Sequence, residues 1–173
     1  MTHAPESDEA MREAAERVLD LCRARGLMLA TAESCTGGLV AVTITDIPGS
    51  SDVFDRGIIT YSNEAKHMLL GVPEAMLKEH GAVSAPVARA MAEGVIRATA
   101  TAVGLSITGI AGPGGGSEDK PVGLVFVGGA LASGAHHVRE CRFGDIGRSE
   151  VRRKSVIAAF ALIEELLAAP LKP

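Results

Sequence analysis

The chain has 173 residues, of which 47% are hydrophobic and 22% are charged. This length and balance are typical of one folded domain and exclude a disordered or tail-like protein. The net charge is −4, and the aromatic residues are four Phe, one Tyr and no Trp. A nucleic-acid surface needs more basic and aromatic side chains, so we expect no nucleic-acid partner and a single domain over residues 1–173.

The cysteines and the N-terminal residues predict the compartment. Cys22, Cys35 and Cys141 are odd in number and far apart, so they form neither a disulfide framework nor a paired zinc motif. Residues 1–20 lack the basic start and apolar run of a secretion signal, and no apolar stretch reaches the about 18 residues of a membrane span. We therefore expect a cytoplasmic protein without a membrane partner.

Apolar spacing and turn residues predict helices that alternate with strands. The first helix is expected to begin at Ser7, as its capping residue, and to end at Gly26. Further helices are predicted over residues 39–44, 63–70, 73–80, 84–102 and 148–167, with Asn63 as the cap of the second of these. Strands are predicted over residues 27–31, 57–61, 105–110, 122–131 and 136–143, the last two forming a hairpin. This order predicts an α/β protein, a three-layer α/β/α sandwich with a mixed, mostly parallel sheet.

One segment concentrates hydroxyl and thiol groups between a strand and a helix, where open α/β sheets bind ligands. It is residues 31–38, TAESCTGG. Gly37 and Gly38 would let a substrate approach the main chain, and N–H groups at the helix start would favour negative charge or a tetrahedral oxyanion. Ser34 and Thr36 are equally consistent with simple helix caps, and Cys35 with a buried apolar residue.

A serine nucleophile requires a base, and the familiar hydrolase signatures are absent: there is no Gly-x-Ser-x-Gly, and no Ser-x-x-Lys starts at Ser34. Lys66 follows the second predicted strand, so in a parallel sheet it would lie at the same edge as Ser34. Burial would have to lower its pKa from about 10.4 before it could accept a proton near neutral pH. The alternatives are a solvated helix residue for Lys66 and a half-buried strand aromatic for Tyr61.

A glycine-rich segment and an arginine are candidates for binding an anion. Residues 109–116, GIAGPGGG, follow a strand and include Gly112 and Gly114, whose amides suit a phosphate or carboxylate. They match neither a Walker loop nor a full dinucleotide fingerprint, and a flexible loop remains an alternative. Arg148 begins the last helix, where it could bind an anion or remain a surface arginine.

The other charged motifs do not predict a metal or nucleic-acid site. Residues 64–67 contain one Glu-x-x-His, whereas a carboxylate-bridged dimetal site needs two, and His136 and His137 would project to opposite faces of a strand. The basic residues among positions 139–154, including Arg152, are interpreted as a solvated helix face. We expect no metal and no cofactor.

Four ordered motifs together resemble those of the CinA C-terminal domain family. They are TAESCTGG at residues 31–38, IPGSS at 47–51, YSNEAK at 61–66 and SITGIAGP at 106–113, and the resemblance covers about residues 18–167. It implies a stand-alone form without the additional N-terminal domain that family members often carry. Because the enzymatic members are nicotinamide-nucleotide amidases, it also implies hydrolysis of nicotinamide mononucleotide to nicotinic acid mononucleotide and ammonia, in pyridine nucleotide recycling.

The resemblance also implies residue roles. Ser34 matches the nucleophile, Lys66 the base and Tyr61 an assisting hydroxyl, which we expect to hold Lys66. Thr108 and Arg148 match further active-site positions. Main-chain N–H groups around Thr36 and Gly37 are expected to stabilise the oxyanion, and the complete expected substrate-binding set is Thr36, Gly37, Gly38, Thr108, Gly112, Gly114 and Arg148.

Two other functions remain open at this stage. The chain could be a non-catalytic nucleotide-sensing or interaction module linked to competence or DNA damage, or an amidase for another carboxamide. Family analogy and the apolar hairpin predict a homo-oligomer.

Overall fold

The structure, a computed structural model, describes residues 6–168, without the side chains of Glu6 and Ser7. The cap predicted for Ser7 therefore lies outside the described side chains. The helices are α1 (Glu6–Arg25), α2 (Leu39–Thr45), α3 (Asn63–Leu70), α4 (Glu74–His80), α5 (Ala85–Thr99) and α6 (Arg148–Ala168), with a short 3-10 turn at Ser50–Asp52. The strands are β1 (Leu29–Glu33), β2 (Phe54–Ile59), β3 (Val103–Gly109), β4 (Leu124–Leu131) and β5 (His136–Arg142).

The five strands form one sheet in the order β2-β1-β3-β4-β5. Strand β1 pairs in parallel with β2 and β3, whereas β4 is antiparallel to both β3 and β5. Four strands thus run in one direction and β4 opposes them, so the predicted mixed, mostly parallel sheet and its hairpin are confirmed. The carboxyl ends of β1, β2 and β3 lie at the same edge of the sheet.

Helices cover both faces of the sheet. A large apolar cluster joins α1, α2 and α6 to one face, with Leu105 and Phe160 among its fully buried members. A second cluster joins α3, α4 and α5 to the other face through Ala32 and Met91. Because both of its faces are covered, β4 is apolar along its whole length, and β3 is buried at every position except its last residue, Gly109. The predicted three-layer sandwich is confirmed.

The strand bounds differ from the prediction by up to three residues, most of all in β1 and β2. Strand β1 starts at Leu29 rather than Leu27, because the N–H of Leu27 donates to the carbonyl of Cys22 and closes the end of α1. Strand β2 ends at Ile59 and leaves Tyr61 in the following turn. Strand β2 starts at Phe54, before the predicted residue 57, because the exposed polar residues at the start of this edge strand do not give an apolar pattern.

The cap of α3 also differs from the prediction. The hydroxyl of Ser62, not the side chain of Asn63, accepts the N–H of Ala65 at 3.0 Å and so caps the helix. The helix thus begins one residue earlier than predicted, at Asn63, and ends at Leu70 as predicted. Within residues 6–168, no helix is both long enough and apolar enough to span a bilayer.

Candidate active site

A buried lysine and a serine meet at the carboxyl edge of the sheet. Ser34 lies in the turn between β1 and α2, and Lys66 lies in the first turn of α3, beyond the end of β2. Since β1 and β2 are parallel neighbours, the segments that follow them emerge side by side. Lys66 Nζ lies 2.9 Å from Ser34 Oγ and donates a second hydrogen bond of 2.7 Å to the carbonyl of Thr60.

Burial alters the acid–base chemistry of this lysine. Lys66 is only 1% exposed and Ser34 is 9% exposed, and both hydrogen-bond partners of the amine are neutral oxygens. Because the charged form loses its hydration without gaining a carboxylate, burial lowers the pKa of Lys66 from 10.5 to about 8. Near pH 7, about one molecule in ten therefore carries a neutral amine that can accept a proton.

The neighbouring thiol is a poor nucleophile. Cys35 is 6% exposed, and burial raises the pKa of its thiol to about 12, so the reactive thiolate is scarce at neutral pH. The structure thus favours a buried apolar role for Cys35, and the hydroxyl of Ser34 is the group that faces the lysine amine.

The turn after β1 uses several of the N–H groups that were expected to be free. Gly37 and Gly38 adopt left-handed conformations with φ of 58° and 101°, and the N–H of Gly37 donates to the carbonyl of Ser34 at 3.0 Å. The expectation that the Gly37 amide points at a substrate is therefore wrong for this structure. Among the described residues, the N–H groups of Cys35 and Thr36 have no hydrogen-bond partner in another residue.

The buried side chain of Glu33, which was not among the predicted site residues, caps the start of α2. Both carboxylate oxygens of Glu33 accept main-chain N–H groups, from Val40 at 2.9 Å and Ala41 at 3.1 Å. These two N–H groups at the start of α2 are therefore paired with Glu33 rather than free for a substrate anion. The one available signal was an acidic residue at the end of an otherwise apolar strand.

Tyr61 does not hold Lys66 in this structure, contrary to expectation. Its side chain is exposed, and its hydroxyl accepts a hydrogen bond from Arg148 Nη2 at 3.0 Å. Arg148 Nη1 also donates to the carbonyl of Gly112 at 2.9 Å. Tyr61, Arg148 and the glycine-rich loop thus form a second polar cluster, while the Thr60 carbonyl orients the lysine amine.

A second arginine reaches the serine turn. Arg152 Nη2 donates to the carbonyl of Thr36 at 2.7 Å, so Arg152 does not belong only to the solvated helix face that was predicted. Arg152 Nε and Thr36 Oγ1 are buried, and neither has a hydrogen-bond partner among the described residues. The signal for Arg152 was its spacing, because it lies one helical turn after Arg148 on the same helix.

The remaining predicted binding residues have distinct surroundings. Thr108 is buried, and its hydroxyl donates to the carbonyl of Ala82 at 2.8 Å, which leaves its oxygen able only to accept. Gly112 has φ of 83°, and a methyl group there would lie 2.6 Å from Val122. Gly114 is exposed and has open space beside it.

The structure gives no candidate metal centre in the chain that it describes. Across residues 6–168, no three or more His, Cys, Asp or Glu side chains are grouped so that they could hold a metal ion. The groups that the structure brings to the sheet edge are an alcohol, a desolvated amine, two arginines and main-chain amides.

Comparison with known proteins identifies the family. The profile of the CinA C-terminal domain matches residues 11–167. The nicotinamide-nucleotide amidohydrolase PncC of Escherichia coli is 50% identical over 157 residues, which cover 90% of this chain and 93% of that protein. A CinA-like protein of Syntrophus aciditrophicus is 52% identical over 159 residues, covering 90% of this chain but 37% of the relative.

Other relatives are also longer, and a solved structure has the same fold. The chain spans only 28% to 38% of the length of four further similar proteins from bacteria such as Symbiobacterium thermophilum. The crystal structure of the competence/damage inducible protein CihA from Agrobacterium tumefaciens superposes with a TM-score of 0.90 at 44% identity, covering 96% of this chain and 99% of that one. The chain belongs to the CinA C-terminal domain family.

Proposed function

We propose that this chain is a nicotinamide-nucleotide amidase that converts nicotinamide mononucleotide and water to nicotinic acid mononucleotide and ammonia. The observation that carries the proposal is the buried contact of 2.9 Å between Lys66 Nζ and Ser34 Oγ. The substrate class is supported by the 50% identity with the E. coli nicotinamide-nucleotide amidohydrolase over nearly the full length of both chains.

The first half of the proposed reaction forms an ester. The neutral amine of Lys66 takes the hydroxyl proton of Ser34, and the serine oxygen attacks the carboxamide carbon of the substrate. The resulting lysine ammonium then returns that proton to the departing nitrogen, the C–N bond breaks, and ammonia leaves. The Thr60 carbonyl, at 2.7 Å from Nζ, directs the amine during both transfers.

The second half regenerates the enzyme. Water replaces ammonia, Lys66 takes a proton from it, and the hydroxide attacks the ester carbon. When the tetrahedral intermediate collapses, the serine oxygen leaves and recovers its proton from the lysine. The N–H groups of Cys35 and Thr36, which donate to no other residue of the described chain, are the proposed oxyanion donors. One such donor is typically worth about 3 to 4 kcal/mol in the transition state.

The second polar cluster is the proposed binding region for the rest of the nucleotide. Arg148 supplies positive charge for the phosphate while its contacts with Tyr61 and Gly112 fix its guanidinium. The amides around Gly114, which has open space beside it, provide further donors. The positive pyridinium of the substrate would help keep Lys66 neutral after binding.

We also propose that the chain works as one cytoplasmic domain and as a homo-oligomer. Exposed apolar side chains on α2, β2 and α3 support self-association: Val42, Ile59, Met68 and Leu69. Light scattering coupled to size-exclusion chromatography tests this part, and a monomer at every concentration would contradict it.

The activity is tested by incubating the purified protein with nicotinamide mononucleotide and measuring ammonia. Ser34→Ala should lose turnover by a factor of at least about a thousand while keeping its circular dichroism spectrum. Cys35→Ala is the matched control, because it removes one heavy atom from the adjacent buried residue and should keep most of the activity. Near-normal turnover in Ser34→Ala would eliminate the covalent mechanism.

The same assay separates the alternatives. Binding of the mononucleotide without ammonia release would favour a sensing module and contradict the proposal. Equal hydrolysis of free nicotinamide and of the mononucleotide would instead indicate an amidase that does not recognise the nucleotide.

A further inference from the structure

We propose that Glu33 is a positioning residue for the serine–lysine pair, a role that rests on the proposed function of that pair. Glu33 is the last residue of β1 and is fully buried, directly before Ser34. Its carboxylate joins the end of the strand to the start of the helix that follows, so residues 34–39 form a closed turn. The nucleophile lies within that turn.

The side chain fixes the turn from one face of the sheet. Both of its oxygens accept N–H groups of the first turn of α2, at 2.9 Å from Val40 and 3.1 Å from Ala41. Side chains alternate along a strand, so Glu33 shares its face with Leu29, in the cluster of α1, α2 and α6, whereas Ala32 faces the opposite cluster with α5. Lys66 approaches from α3, on that opposite side. Glu33 therefore holds the serine turn on the side of the sheet covered by α2, while Lys66 reaches Ser34 from the side covered by α3.

The main chain of the same residue positions the base. The carbonyl of Glu33 accepts the N–H of Thr60 at 2.8 Å, and the carbonyl of Thr60 accepts the amine of Lys66 at 2.7 Å. Glu33 thus connects to Ser34 through one peptide bond and to Lys66 through two hydrogen bonds. A change in the position of Glu33 would alter both ends of the 2.9 Å contact between Oγ and Nζ.

Capping a helix does not require a buried acid. Serine, threonine or aspartate normally caps α-helices at the surface, as Ser62 does for α3, and a buried carboxylate carries a desolvation cost. A glutamate here reaches across the whole turn from the strand, which a shorter side chain at the helix start could not do. We infer that this reach serves the geometry of the nucleophile in addition to the stability of α2.

The test compares Glu33→Gln with the native chain in ammonia release from nicotinamide mononucleotide. Glutamine keeps the shape but presents an NH₂ group to one of the two N–H donors, so the turn can no longer be held at both points. We expect kcat to fall by about ten- to a hundredfold with KM changed less than about twofold, since small misplacements of reacting groups act on kcat. Glu33→Asp keeps two acceptors but shortens the side chain, so it cannot span the turn and should also lower kcat.

A matched control separates positioning from stability. Thr101→Val is also an isosteric change of a buried polar side chain, but Thr101 precedes β3 at the opposite edge of the sheet and contacts Thr99 and Val103. It should lower the melting temperature without lowering kcat. All rates are expressed per folded molecule, with the folded fraction taken from circular dichroism.

A second readout does not depend on the substrate. A fluorophosphonate should label Ser34, and peptide mass spectrometry measures the rate of this labelling. The labelling rate should fall in Glu33→Gln in parallel with kcat and should equal the native rate in Thr101→Val. Native kcat and labelling rates in Glu33→Gln, or a change in KM alone, would overturn the inference. If Glu33→Gln does not fold, Glu33→Asp decides, and native rates there overturn the inference in the same way.

Failure of the proposed function has its own signature. A native chain that releases no ammonia but is labelled at Ser34 refutes the proposed substrate, and the labelling rates of the variants still decide the role of Glu33. A native chain that is neither active nor labelled refutes both proposals.

Discussion

Replacing Lys66 with methionine should change the way in which the free energy of unfolding depends on pH. Methionine has a similar length and no charge, so the variant removes the titrating group while largely filling its buried space. Burial lowers the pKa of Lys66 to about 8 in the folded chain, against 10.5 for an ordinary lysine. The native chain must therefore bury a charge at neutral pH, and the variant does not.

The sign and the size follow from the two pKa values. Between about pH 8 and pH 10.5, the unfolded chain binds this proton and the folded chain does not, so rising pH stabilises the fold. Below about pH 8 the lysine is charged in both states and the full cost of burial remains, roughly 3 kcal/mol. The free energy of unfolding of the native chain should thus rise relative to that of Lys66→Met by about 2 kcal/mol between about pH 7 and pH 9.5.

Urea unfolding of both proteins at several pH values measures this difference. Groups other than Lys66 titrate in both proteins, so their contributions cancel in the difference. The hydrogen bonds to Ser34 and Thr60 that the variant loses add a constant to that difference, which does not change with pH. A difference between the two proteins that stays constant from about pH 7 to pH 9.5 would refute the assignment of a desolvated lysine.

Three further predictions follow from the same site. The value of kcat/KM for ammonia release should fall as pH decreases below about 8, because Lys66 becomes protonated, and a flat profile from pH 6 to 9 would contradict its role as base. Gly112→Ala should lower the free energy of unfolding in urea by about 1 to 3 kcal/mol, since φ is 83° and the new methyl group would lie 2.6 Å from Val122; native stability would refute this packing. Tyr61→Phe should leave the melting temperature nearly unchanged, because the ring is exposed, but lower kcat/KM by freeing Arg148, and unchanged kinetics would show that this contact is not used.

Much of the fold could be predicted because its signals are local. Helix α3 ends at Leu70, before the left-handed Gly71, as the glycine pattern indicated, although Ser62 rather than Asn63 caps its start. The meeting of Ser34 and Lys66 follows from a general rule, since residues after parallel neighbouring strands lie at one edge. The predicted strand boundaries were less accurate, for example at Leu27, whose N–H donates to the carbonyl of Cys22 at the end of α1 instead of pairing in the sheet.

The contacts that depend on side-chain direction could not be predicted. Tyr61 was expected to hold the lysine, yet its side chain turns outward to Arg148, and a main-chain carbonyl at Thr60 takes its place. Every residue has a main-chain carbonyl, so the residue types do not indicate which carbonyl will accept the lysine amine. Glu33 and Arg152 were also missed as site residues, because burial and the direction of a long side chain are set by tertiary packing.

The ester on Ser34 is the most direct test of the proposed chemistry. The native chain is mixed with nicotinamide mononucleotide, quenched in acid within milliseconds to seconds, and digested for mass spectrometry of the peptide that contains Ser34. We expect that peptide to gain the mass of the nucleotide minus ammonia during turnover and to lose it when substrate is exhausted. Rapid ammonia release with the nucleotide attached to a different residue, or undiminished release by Ser34→Ala, would contradict the account.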